Sequence, residues 1–328
     1  MALFFIGILA VSTLLYVLLD GFDLGVGILF GLTRDGARRR GMISAVAPVW
    51  DGNETWLVVT GVVLWGAFPI VYSTLFSAFY LPLLVMLAGL IVRGVAFEFR
   101  NMTERMQWIW DASFTGGSCI ATFVQGMTVG ALVEGLPIIS GQYAGGEFGW
   151  FSPFALLCGI GLCIGYMLLG ACWLVRKCEG DICDTAYRQI PSLSVGLLSF
   201  LILVFAYALA ENLPVMTRWL ERPYLFVFPV IGVVAAITLA VSVRRRRDAP
   251  PFYMVALIFA AAFGTLAISF WPYMVPFSIT IDEAASPHST LAFMFWGGGL
   301  FVFPLMLVYT ATSLTVFRGK VTSSDYHY

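Results

Sequence analysis

The chain has 328 residues, 60% of them hydrophobic and only 11% charged, with a formal net charge of −1. A mean hydropathy of +0.89 lies outside the soluble globular range and places the chain among polytopic membrane proteins. The near-neutral balance offers no footprint for nucleic acid, and the six cysteines form no C-x-x-C or C-x-x-C-H arrangement that would hold a metal or attach a haem.

In chain order, Ala2 to Leu32 is apolar except for Asp20 and Asp23, with no Lys or Arg before it. It therefore reads as an uncleaved first span. As a helix this run would be about 46 Å long, beyond a ~30 Å hydrocarbon core, so it tilts or projects. A basic loop with Arg34, Arg38, Arg39 and Arg40 follows. Further spans are expected at Thr55 to Ile70, Ser73 to Ala96, Trp108 to Leu132, Pro153 to Val175, Pro191 to Ala210, Pro223 to Val243, Phe252 to Pro272 and Leu291 to Phe317. Only F-P-I-V-Y-S separates the second from the third, because one helix from Trp56 to Ala96 would exceed the bilayer about twofold. The expectation is an all-α bundle of nine transmembrane helices forming one integral membrane domain over residues 1–328.

Nine spans put the termini on opposite sides. The loops after spans one, three, five and seven, with the tail, carry fifteen Lys and Arg residues, against Arg218 and Arg222 on the other side. That bias orients the N-terminus outside and the C-terminus in the cytoplasm. Trp50, Trp56, Trp150, Trp219 and Trp271 fall near span ends, where interfacial aromatics belong.

This orientation gives the ionisable residues a depth. Asp20, Asp23 and the lone intramembrane Arg93 share one layer. Asp51 and Glu54 open the second span from the cytoplasm, Glu98 ends the third there and Asp111 begins the fourth there. Each charge at mid-membrane costs at least ~2.5–3.5 kcal/mol on insertion scales, so these groups face protein or water and pair where they can. One arginine does not neutralise every acid. Carboxylates at i and i+3 share a helix face and repel, which favours a proton on one of them and suits a proton path. A structural reading stands beside that one. Asp51 and Glu54, in D-x-x-E, imitate a capping box. Asp20 and Arg93 suit a permanent bridge, with Gly21, Gly25 and Gly27 marking close helix packing. The two histidines, His288 and His327, fall outside the spans, so no buried imidazole is offered to a haem and the chain is expected to hold none itself. Gly297 to Gly299 has no phosphate-loop companions and reads as a helix contact.

The segments L-L-D-G-F-D-L-G-V-G, A-P-V-W-D-G-N-E-T-W-L and F-S-A-F-Y, then Arg93, F-W-P-Y-M-V-P at Phe270 to Pro276 and P-L-M-L-V-Y-T at Pro304 to Thr310, follow one another in a known order. Together they resemble subunit II of the cytochrome bd-type quinol oxidases over essentially the whole chain. The resemblance implies a haem-free subunit of a terminal oxidase in the bacterial cytoplasmic (inner) membrane. It implies a similarly folded subunit I that carries two haem b and one haem d, or a variant set, and a small single-helix accessory subunit in some members. The complex oxidises quinol, reduces dioxygen to water and draws protons from the cytoplasm. Asp51 matches an acid implicated in proton uptake, with Glu54, Asp20 and Asp23 beside it, Arg93 as charge partner, and Glu98 and Asp111 as secondary candidates. Some members carry Gln where Glu54 stands, and a bound structural quinone occurs in some. The competing classes are a proton-coupled secondary transporter, whose inverted repeats are absent from this sequence, and a purely structural scaffold.

Overall fold

In the computed structural model, which describes residues 1–102, 105–139 and 142–321, the long apolar runs are helices. His327 lies outside the described residues. The first run is helix α1 (Ala2–Gly31), and the basic loop after it contains a short helix, α2 (Gly36–Val46). Asp35 caps α2 by accepting from the Arg38 backbone N–H at 2.9 Å, a bond that holds its carboxyl below the ordinary carboxylate range. Next come α3 (Trp50–Ala67), α4 (Pro69–Ala78), α5 (Tyr80–Phe99), α6 (Gln107–Glu134), α7 (Pro153–Lys177) and α8 (Gly180–Ala210). The last third holds α9 (Pro214–Glu221), α10 (Val227–Arg244), α11 (Pro250–Phe270), α12 (Ile281–Ala284), α13 (His288–Met294) and α14 (Val302–Val316). Two small antiparallel hairpins, Ile138–Ile139 with Gln142–Tyr143 and Tyr273–Val275 with Ile279–Thr280, sit in loops.

Eight of these helical stretches are long and apolar enough to cross a membrane, and α3 with α4 makes a ninth when the bent pair is counted as one span. The two helices meet at 120°. Pro69 has no N–H to continue the α3 ladder, so a new helix starts with proline at its first position. The boundary before the next span then falls at Phe79, and Ser73 to Ala78, expected in the third span, belong to α4. Pro191, expected to open a span, lies inside α8. The turns before it pack on the bundle through buried Ile182, Ala186, Tyr187 and Ile190, and their polar side is tied by Arg38 on Asp181 and Arg246 on Asp184. Of Gly297 to Gly299, expected at a helix contact, only Gly299 is at one, where a Cβ would stand 3.2 Å from the Phe4 ring of α1; Gly297 and Gly298 face open space within a π turn, Phe295–Gly299.

Helix α1 runs through the centre of the bundle, and every residue from Leu19 to Phe30 is buried. Small residues let its neighbours come this close. A Cβ on Gly25 would overlap the Tyr166 carbonyl of α7, and one on Gly27 would overlap Ser118 of α6. By contrast α14 buries no residue and α8 only a few, which leaves broad apolar faces for lipid or protein.

At the α2 end, the last described residues form a strap. Lys177 Nζ donates to the carbonyls of Phe317 and Gly319, and Val321 N–H returns a bond to the Lys177 carbonyl at 2.7 Å. Lys320 Nζ lies 2.6 Å from Asp248, which also accepts from the Tyr187 hydroxyl at 2.8 Å. Burial alone would raise the Asp248 carboxyl, but these two bonds outweigh it and hold the group below the ordinary range.

Candidate functional site

Three helices bring their charges to one place. The second half of α1 supplies Asp20 and Asp23, the first turns of α3 supply Asn53 and Glu54, and α5 supplies Arg93, while Asp51 stands exposed outside the cluster. Arg93 Nη2 donates to Asp20 Oδ1 at 2.8 Å and to Glu54 Oε2 at 3.3 Å. Asp20 is 0% exposed and Arg93 2%, whereas the Glu54 side chain is 29% exposed. The shared layer expected for Asp20, Asp23 and Arg93 is thus a buried cluster, and Glu54 closes its open side. Asn53, which the sequence reading passed over, donates to Asp23 Oδ2 at 2.8 Å. Its signal was its place between the two acids of D-G-N-E.

The capping-box reading of Asp51 and Glu54 does not hold. Helix α3 starts at Trp50 with Val49 as its cap residue, and no side chain caps it. The earlier start leaves Asp51 in the first turn, exposed and suited to the helix dipole. It also turns Glu54 towards Arg93. The segment is fixed from α14, where Thr310 Oγ1 accepts from Trp56 Nε1 at 3.2 Å.

Charge does not balance inside the cluster. Asp20, Asp23 and Glu54 face one guanidinium, so a proton must be shared among them for the group to approach neutrality. Polar capacity is also left over. Asp20 Oδ2, Asp23 Oδ1 and Arg93 Nη1 are buried with no hydrogen-bond partner. A cavity of about 10 Å³ lined by Asp23, Arg93, Trp50, Val46, Phe97 and Phe114 lies beside them. That is room for about one water between an acceptor and a donor. Carboxylates at graded exposure around a fixed cation can take up a proton at the open end and pass it inward.

The secondary candidates separate from this cluster. Glu98 is exposed at the end of α5. Asp111 accepts from Arg39 Nη1 at 2.7 Å and Arg100 Nε at 2.5 Å, and both guanidiniums lie over the Phe30 ring, at 4.9 and 5.5 Å. This clip ties α2 to the α5–α6 turn and so anchors the loop that leads to Asp51. Replacing Asp111 by Asn should lower stability by about 2 kcal/mol, discounted for the part-exposed Arg39. Detergent melting should reveal that loss, with turnover per assembled complex little changed.

The donor set also bears on cofactors. The buried cluster offers carboxylates, an amide and a guanidinium, but no imidazole, thiolate or thioether, and such a set does not ligate haem iron. All six cysteines are free, and His288, at the exposed start of α13, is far along the chain from the cluster.

Comparison with known proteins places these features in a wider set. A family model described as cytochrome bd terminal oxidase subunit II matches residues 1–317. The chain is 30% identical to cytochrome bd-I ubiquinol oxidase subunit 2 of Escherichia coli (strain K12), covering 98% of this chain and 94% of that one. It is 31% identical to the probable cytochrome oxidase subunit 2 of Haemophilus influenzae, over 93% and 91%. It is 28% identical to cytochrome bd ubiquinol oxidase subunit 2 of Bacillus subtilis (strain 168), over 94% of each. The fold matches a chain of the bd oxidase from Geobacillus thermodenitrificans with a TM-score of 0.79 over 96% of each chain, at 15% identity.

Proposed function

The chain belongs to the cytochrome bd terminal oxidase subunit II family, and from that premise we propose that its buried charge cluster is a proton entrance serving the redox centres of another subunit. As a family member it is a multi-pass inner-membrane component of an oxidoreductase complex that includes subunit I, and the haems of such complexes generally reside in that partner. In this reading the complex oxidises quinol and reduces dioxygen to water, with a haem b and haem d set, or a variant of it, in subunit I. The N-terminus faces outside, and the α2 end, rich in arginine, faces the cytoplasm. Each dioxygen reduced consumes protons as well as electrons, and this subunit delivers protons.

The observation that carries the proposal is the gradient across Arg93. Asp20, wholly buried at 2.8 Å, is the fixed counter-ion, and Glu54, partly open at 3.3 Å, is held more loosely. Asp51, exposed one turn before Glu54, collects the proton at the cytoplasmic rim. Glu54 receives it, and Asp23, beside the small cavity and oriented by Asn53, is the next acceptor inward. A carboxylate that exchanges protons must be reachable, and a charged rim in a membrane must be covered. Both conditions suit a surface that a partner subunit closes.

Replacing Asp51 by Asn in the assembled oxidase should slow oxygen consumption about tenfold or more, within the usual range for a lost proton-transfer group, while the haem spectrum stays intact. Glu54→Gln should act in the same direction. Unchanged turnover across pH in both variants would sink the proposal. Loss of the haem spectrum would instead favour a scaffold, the reading that the permanent Asp20–Arg93 bond supports.

A further inference from the structure

At the end of the bundle away from α2, a cavity of about 330 Å³ opens between the α4–α5 junction and the loop that joins α6 to α7. Ser77 of α4, Tyr80 and Leu81 of α5, and Tyr143, Gly146 and Glu147 of the loop line it. None of these residues belongs to the proton entrance. Its volume falls at the small end of the ~300–1,000 Å³ range of ligand pockets.

The loop wall is held in shape by its own bonds. Ala144 N–H donates to the Pro137 carbonyl at 2.8 Å, and Trp150 Nε1 donates to the Glu147 carbonyl at 2.7 Å. Gly146, at φ +67°, supplies the left-handed turn that brings Glu147 to the cavity. Gly145 and Gly149 let the loop close over Tyr143, because a Cβ on either would overlap its hydroxyl. The ring of Tyr143 is thereby kept in the wall.

Charge in this region has one sign. Residues 135–152 and 69–81 contain no Lys or Arg, and among the described residues no ion pair engages Glu147. A cation entering the cavity therefore meets an unneutralised carboxylate with no protein cation competing for it. The aromatic rings of Tyr80 and Tyr143 add an attraction for positive charge. Around the cavity Phe76, Tyr80, Phe148 and Phe151 are exposed, and exposed aromatics at the end of an apolar bundle belong at the level of lipid headgroups. The ligand that fits both features carries its positive charge on an apolar body.

We propose that this cavity binds the primary ammonium headgroup of a phosphatidylethanolamine-type phospholipid, with Glu147 as its counter-ion. The Glu147 carboxylate and Ser77 Oγ are hydrogen-bond acceptors, which an ammonium with three N–H donors satisfies and a quaternary choline headgroup does not. The lipid joins the α4–α5 junction to the α6–α7 loop, two segments that the charge cluster at the other end of the bundle does not reach.

The test uses the purified, assembled oxidase incubated with phosphatidylethanolamine or with phosphatidylcholine of the same acyl chains, and bound lipid is counted by native mass spectrometry. Glu147→Gln should weaken the binding of one phosphatidylethanolamine about tenfold, the scale of one charge-assisted hydrogen bond, and leave phosphatidylcholine binding unchanged. Tyr80→Ala should weaken it about threefold through the lost ring. Both side chains are exposed, and turnover of either variant in phosphatidylcholine should match the parent. Equal phosphatidylethanolamine binding in parent and Glu147→Gln overturns the proposal, and so does an equal loss of both lipids. Displacement of the lipid by free phosphoethanolamine at the same concentration would mark a site for a water-soluble amine and overturn the lipid assignment.

Discussion

Arg93→Leu is expected to deplete the chain from the membrane rather than merely slow the oxidase. Arg93 is 2% exposed and is the cation shared by Asp20 and Glu54, so it joins α1, α3 and α5. Removing one partner of a buried pair leaves the other charge uncompensated and costs about 3–5 kcal/mol, a large part of a typical stability of about 5–15 kcal/mol. The steady-state amount of subunit and its detergent melting curve should both fall. Adding Asp20→Leu should recover much of the loss, because an apolar pair of similar volume removes the orphaned charge. If Arg93→Leu alone accumulates and melts normally, the cluster is not the tie between these helices.

The second large effect is steric. A Cβ on Gly170 would stand 2.6 Å from the Val26 nitrogen and 2.7 Å from the Gly25 carbonyl carbon, so the obstacle is backbone and no side-chain rotation relieves it. Gly170→Val therefore forces α7 away from α1, carrying Tyr166 from Gly21. Overpacking costs about 1–3 kcal/mol where side chains adjust, and more where helices must part. The expected result is loss of assembled complex. Gly7→Val on the same α1, with nothing within 4 Å of its Cβ position, should melt as the parent does. Equal melting of the two variants would show that the α1–α7 crossing tolerates separation.

What could be read from the sequence was depth, and what could not was azimuth. Position along a helix is linear in residue number, so the spacing puts Asp20, Asp23 and Arg93 at one level, and the structure pairs Asp20 with Arg93. Which way a side chain points around the axis depends on packing. Asp111 has a suitable place at the start of α6, yet it turns to Arg39 and Arg100. Glu54 was placed beside Asp51, but its bond to Arg93 followed from a helix start that D-x-x-E disguised as a cap. The apolar runs announced the spans, whereas their ends were shifted by local chemistry at Pro69, Phe79 and Gly180. Helix α2 has a mean composition too polar to show as a span, and its Asp35 cap is visible only once the turn before it is built.

The C-terminal strap also sets an order of events during synthesis. Lys177 is buried, yet its acceptors Phe317 and Gly319 lie 140 and 142 residues later. At roughly 5–20 residues per second the ribosome takes roughly 7–28 s to cover that distance. Through that interval those two carbonyls do not yet exist, and of its neighbours in the finished fold the ammonium has the Trp173 ring, 5.5 Å away on the same helix. The tie between the end of α7 and Phe317–Gly319 is therefore made only after α14 has been synthesised, and it fastens α7 to a bundle whose preceding helices have already been made.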